Sequence, residues 1–142
     1  MKYNFSNITI LIAEDDVCNQ FFFKAISKPT NAKIIIAEDG QQAIEYLENN
    51  PDIQIALIDI KMPVLDGLKA ARIIKNKFKN LPLIAQTAYS DQSQRNTALE
   101  AGFDQFITKP IKQDELFNII RSYQFKLRHS RYNTISYLSD LT

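Results

Sequence analysis

Apolar residues along this chain fall into two alternating textures. One is a short continuous run, rich in β-branched residues, as in Ile8-Thr9-Ile10-Leu11-Ile12-Ala13. Such a run suits a strand that is covered on both faces. The same texture recurs in Lys33–Ala37, Ile53–Asp59, Pro82–Thr87 and Asp104–Thr108. The other texture has helical spacing. Asp16 is placed to cap a helix from Val17 to about Ser27, in which Phe21, Phe22 and Phe23 cannot all face one side, so one of them stays exposed or packs at the edge. Asp39-Gly40 ends the second run and opens a helix whose Ala43, Ile44 and Leu47 share a face. Further helices follow from about Leu68 to Lys75, from Asp91 to Ala101 with Gly102 as its stop, and from near Gln113. Lys28-Pro29-Thr30-Asn31 and Met62 to Gly67 read as a turn and a loop.

Five strands alternating with five helices predict an α/β fold. The expected form is a five-stranded parallel sheet in a doubly wound, flavodoxin-like arrangement. The length of 142 residues allows one domain with little left over. The alternation covers residues 8–125. The remaining 126–142, with Lys126, Arg128 and Arg131 around His129, is expected to extend the last helix or form a loose tail.

Composition removes several functions. The three glycines, Gly40, Gly67 and Gly102, are too far apart for a dinucleotide-binding or P-loop motif. One cysteine and one histidine leave little for a zinc site or a His-based triad. Cys18 reads as a small packing residue and His129 as incidental. A net charge of +1 gives no case for direct nucleic-acid or membrane-surface binding. The apolar run at Ile8–Ala13 is too short for a signal peptide or a membrane span, so a cytoplasmic location is expected.

In a parallel α/β sheet the site forms beyond the carboxyl ends of the strands. The first strand delivers Glu14 and Asp15 there, the third Asp59, the fourth Thr87 and the fifth Lys109. Three neighbouring carboxylates repel one another unless a cation joins them. Oxygen ligands select a hard ion such as Mg2+. An Asp beside that ion is a plausible nucleophile toward phosphorus, and a lysine and a hydroxyl would hold phosphoryl oxygens. With no nucleotide cradle, the phosphoryl donor is expected to be another molecule that docks. A lone strand-end Asp is more often a cap, as expected for Asp16, Asp39 and Asp66; the conjunction of five groups at one end is what points to chemistry.

Four blocks together resemble a two-component response-regulator receiver domain: Ile10 to Asp16, Ile58 to Gly67, Ala85-Gln86-Thr87-Ala88, and Phe106-Ile107-Thr108-Lys109-Pro110. Asp16-Val17-Cys18-Asn19 and Ile84 to Ala88 look most like receivers of hybrid histidine kinases. The resemblance implies that Asp59 accepts a phosphoryl group from a phosphohistidine on a histidine kinase or histidine phosphotransfer protein. Glu14, Asp15, Asp59 and the main-chain carbonyl of Lys61 would hold Mg2+, and Thr87 and Lys109 would bind the phosphoryl oxygens. Phe106 would be a switch aromatic that turns inward as Thr87 moves, and Lys109-Pro110 would be a cis bond. The glycine after Asp66 would let the loop turn tightly. Lys61 and Tyr89 would flank the path of the attacking water, and their bulk predicts slow loss of phosphate.

Because Glu14, Asp15 and Asp16 are consecutive, a register slip of one would make Asp16 a ligand and Glu14 a bystander. The implied function is a binding and switching module that catalyses only its own phosphorylation and dephosphorylation, standing alone or as part of a longer hybrid kinase. Two alternatives remain at this point. One is a Mg2+-dependent aspartyl phosphatase, disfavoured by Lys61 where a second Asp would stand. The other is a pseudo-receiver used only for docking.

Overall fold

The structure is a computed structural model that describes residues 3–88 and 92–140, with side chains described through residue 126. The elements run β1 (Thr9–Ala13), α1 (Val17–Ser27), a 3-10 turn (Lys28–Thr30), β2 (Lys33–Ala37), α2 (Gly40–Asn49), β3 (Ile55–Asp59), α3 (Gly67–Lys77), β4 (Leu83–Thr87), α4 (Gln92–Ala101), β5 (Gln105–Thr108) and α5 (Gln113–Asp140). All pairings are parallel, in the order β2-β1-β3-β4-β5. This is the doubly wound sheet expected from the alternation. Its order reverses between β1 and β3, where such sheets carry their ligands.

The strands follow from their composition. Every residue of β3 and β4 is buried, because helices cover both faces. One face packs Leu11, Ala56, Ile58 and Ala85 against α2, α3 and α4. The other packs Ile10, Ile12, Leu57, Ile84 and Ile107 against α1 and α5. The helices start where the sequence places their caps. The carboxylates of Asp16, Asp39 and Asp66 accept from the backbone N–H groups of Asn19, Gln42 and Lys69.

Three details depart from expectation. Both Phe21 and Phe22 reach the surface, at 68% and 37% exposure, while Phe23 is buried. The buried edge of α1 is the pair Phe23 and Ser27, four residues apart. Cys18 lies about 140° around the helix from Phe23 and is exposed, so it is not a packing residue. The segment before β1 is part of the core as well. Tyr3 and Phe5 are buried and form an edge-packed aromatic group with Phe117 of α5.

Gly67 has an ordinary backbone, so it does not serve to turn the loop as expected. It serves close approach: a Cβ there would lie 2.3 Å from the Asp59 carbonyl oxygen. Its N–H donates to the Ile60 carbonyl at 2.8 Å. Seating α3 this closely fixes the backbone next to Asp59. The connecting loop contains Val64 at φ 66°, with the Leu65 N–H donating to the Pro63 carbonyl at 2.7 Å. That three-residue closure is a γ-turn, and a β-branched residue at its centre is strained.

Candidate functional site

Six polar or charged residues are buried among the described residues: Glu14, Ser27, Thr30, Asp59, Gln86 and Thr87. Four of them sit at or just beyond the carboxyl ends of β1, β3 and β4. Buried polar groups need a reason, and here the reasons converge on one place.

Asp59 ends β3 and is 4% exposed. Its Oδ1 accepts the Lys61 N–H at 3.0 Å, and its Oδ2 meets the Lys109 ammonium at 2.6 Å. Lys109 is aimed there by its surroundings. Its N–H donates to the Thr87 carbonyl at 2.8 Å, and the Lys109–Pro110 bond is cis. Burial works against the Lys109 charge, but the bond to Asp59 and the field of Glu14 and Asp15 outweigh it, so the ammonium is held above its ordinary pKa.

Glu14 follows β1 and is fully buried. Its backbone is tied down on both sides: its N–H donates to the Ala37 carbonyl, and its own carbonyl accepts from the Gln20 amide. Neither carboxylate oxygen has a hydrogen-bond partner among the described residues. Burial, and then the adjoining Asp59 carboxylate, push its pKa up to about 7. One oxygen from each of Glu14, Asp15 and Asp59 lies within 4.8 Å of the others. A divalent cation fits this group. It would give the orphaned Glu14 oxygens a partner and cancel the repulsion that raises the Glu14 pKa. The donor set is oxygen only, which suits a hard ion. Asp16 does not join the group, since its carboxylate caps α1 and is exposed.

Beside these carboxylates lies a cavity of about 60 Å3, lined by Asp59, Lys61, Thr87, Gln94 and Lys109 among others. The structure therefore brings Glu14, Asp15, Asp59, Thr87 and Lys109 to one end of the sheet. Lys61 is exposed at the rim. Tyr89 lies outside the described residues. Phe106 is half-buried on β5, on the same face as Thr87. Gln94 was not anticipated: nothing in the sequence marks one glutamine of a mostly polar helix as facing the site. Among the described residues, no helix is long and apolar enough to cross a membrane.

Comparison with known proteins agrees with this geometry. The family model described as "Response regulator receiver domain" matches residues 10–121. A hybrid signal transduction histidine kinase of Dictyostelium discoideum is 34% identical over 121 residues, which is 80% of this chain and 7% of that protein. A sensor histidine kinase of Helicobacter pylori is 33% identical over 119 residues, 82% of this chain and 15% of that protein. The chain thus spans only a small part of these relatives. Among solved structures, the receiver domain of a Pseudomonas aeruginosa sensor histidine kinase, with a magnesium ion coordinated in its active-site cleft, superposes with a TM-score of 0.76 at 32% identity, covering 82% of this chain and 97% of that one. A Saccharomyces cerevisiae response-regulator receiver, solved with its histidine phosphotransfer protein, superposes with a TM-score of 0.75 at 27% identity, covering 79% and 85%. With its fold, its strand-end acids and these likenesses in agreement, the chain belongs to the response-regulator receiver family of two-component signalling.

Proposed function

We propose that this receiver takes a phosphoryl group onto Asp59 from a phosphohistidine of a histidine kinase or histidine phosphotransfer protein. The observation that supports it most is the acidic trio of buried Glu14 and Asp59 with exposed Asp15, in which both Glu14 carboxylate oxygens are orphaned among the described residues, beside the Lys109–Asp59 ion pair. Glu14, Asp15, Asp59 and the main-chain carbonyl of Lys61 would hold Mg2+, whose charge would offset that of the phosphoryl oxygens. An Asp59 carboxylate oxygen forms the new P–O bond as the P–N bond of the phosphoimidazole breaks, and the electron pair of that bond stays with the leaving imidazole. Lys109 exchanges part of its hold on Asp59 for a phosphoryl oxygen, and the Thr87 hydroxyl moves to another. Phe106 follows Thr87 and alters the surface of α4 and β5. Lys61 at the rim, and Tyr89 two residues after Thr87 in the sequence, would slow water's approach and lengthen the phosphorylated state.

The receiver unit is taken as 8–125, with 126–142 continuing from it. It acts as a signalling module toward partner proteins, or within a longer hybrid kinase chain, on the cytoplasmic side, without contacting nucleic acid or membrane itself. Phosphotransfer from a histidine-phosphorylated phosphotransfer protein tests this reading. Wild type should take up label with Mg2+ present, and Asp59→Asn should take up none. Equal labelling of the variant would overturn the assignment.

A further inference from the structure

The guanidinium carbon of Arg95, in the first turns of α4, lies 4.6 Å from the centre of the Phe106 ring. That is stacking distance for a cation on an aromatic face. The Arg95 Nε is buried and has no hydrogen-bond partner among the described residues. A buried guanidinium nitrogen without an acceptor is costly, and the ring face is the compensating contact beside it. Phe106 meanwhile packs against the core on its inner side, beside small and short side chains. It pairs in register with Ala85, a small residue, and Thr87 lies diagonally beyond on the same face. The helix above is loosely attached, since α4 buries only Ala98 and Ala101. Its first turns also reach the site, because Gln94 lines the cavity beside Asp59.

We propose that Arg95 is a positioning residue for Phe106: its guanidinium holds the ring outward in the unphosphorylated protein and ties ring and α4 into one two-state element. This rests on the reading of Asp59 as the phosphoacceptor and deepens it. When Thr87 is drawn toward a phosphoryl group, the space over Ala85 and Thr87 opens to the ring. The ring can enter only by leaving the guanidinium. Arg95 must then move as well, because its Nε loses the contact that compensates its burial. A local event at Thr87 thereby becomes a displacement of the first turns of α4. The cost of parting the stack sets part of the threshold for switching.

The test uses the full chain with Mg2+ and beryllofluoride as the phosphoryl mimic, and reads the Phe106 ring by NMR of a 13C-phenylalanine sample. Arg95→Met keeps the apolar stem and helix propensity but removes the cation. It should increase the inward ring population without the mimic and tighten mimic binding about fivefold. Arg95→Lys, which keeps a cation, should fall between. In a Phe106→Leu background, Arg95→Met should leave mimic affinity unchanged, because the stack is already gone. If wild type binds the mimic while Arg95→Met leaves both the ring population and the affinity as they were, or weakens binding, the proposal fails. If wild type does not bind the mimic at all, the phosphoacceptor reading fails instead.

Discussion

α3 and α4 lie on the same face of one sheet and are nearly equal in length, yet they are held in different ways. α3 buries Gly67, Ala70, Ala71 and Ile74, and seats its first residue directly on the Asp59 carbonyl. Its far end is pinned as Lys75 reaches the Leu81 carbonyl and the Asp104 carboxylate, both at 2.8 Å. α4 buries only two alanines, and Leu99 on it is half exposed. Asp59 stands beside the firmly seated helix, whereas Thr87 and Phe106 stand beneath the loosely seated one. A phosphoacceptor and a cation site need fixed geometry; a switch needs an element with two accessible positions. On the proposed reading of Asp59 as phosphoacceptor and Phe106 as switch, the molecule divides the two needs between neighbouring strands.

Substitutions on the two helices should differ accordingly. The largest effect is expected at Gly67→Ala, where a methyl group would meet the Asp59 carbonyl. Overpacking against backbone should cost about 3 kcal/mol and lower Tm by about 10 °C, which thermal unfolding would show. A loss within experimental error would mean that α3 is not seated as firmly as argued.

The buried acid predicts a pH dependence of the next size. The Glu14 pKa is raised in the folded protein from 4.5 to about 7, so the native state binds more protons than the unfolded one between those values. Stability without added metal should therefore fall as pH rises across that window and level off above it. Glu14→Gln should remove this slope and raise Tm at about pH 8. Mg2+, which favours the charged carboxylate, should stabilise wild type more at about pH 8 than at about pH 5. A denaturation series with and without Mg2+ reads all three. A flat pH profile for wild type would contradict the burial argument.

Val64 probes the strain carried by the firm side. At φ 66° and 83% exposure it gains little from packing. Val64→Gly should stabilise by about 1 kcal/mol in chemical denaturation. A destabilised variant would show that the Val64 side chain contributes something its exposure does not reveal. The smallest effect belongs to α4, where Leu99→Ala should change stability by no more than about 0.5 kcal/mol. Ile74→Ala on α3, fully buried, should cost about 3 kcal/mol by the same assay.

The strand-helix alternation was readable because each strand is a nearly unbroken apolar run and three helices begin at an aspartate cap. The strand-end acids were readable because a parallel sheet places them together. Sequence left Glu14 and Asp16 as alternatives, and only geometry separates them: Asp16 turns back to the Asn19 N–H, while Glu14 turns inward. Periodicity gives a helix its stripe but not its rotation against neighbours, so the exposure of Cys18 and Phe22 was hidden. Tyr3 and Phe5 belong to no periodic run, and their packing on Phe117 depends on a long-range approach. The same limit applies to Gly67, whose constraint is a carbonyl eight residues earlier. It applies as well to Arg95 and Gln94, which occupy a mostly polar helix whose sequence does not reveal which side meets the sheet.

The reading of this receiver turns on whether Asp59 is a phosphoacceptor that requires a divalent cation. Incubation with acetyl phosphate, followed by intact-mass and peptide mass spectrometry, tests it most directly. One added phosphoryl group is expected, located on Asp59, present with Mg2+ and absent with chelator or in Asp59→Asn. Phosphoryl uptake that persists in Asp59→Asn, or none in wild type with Mg2+, would contradict it.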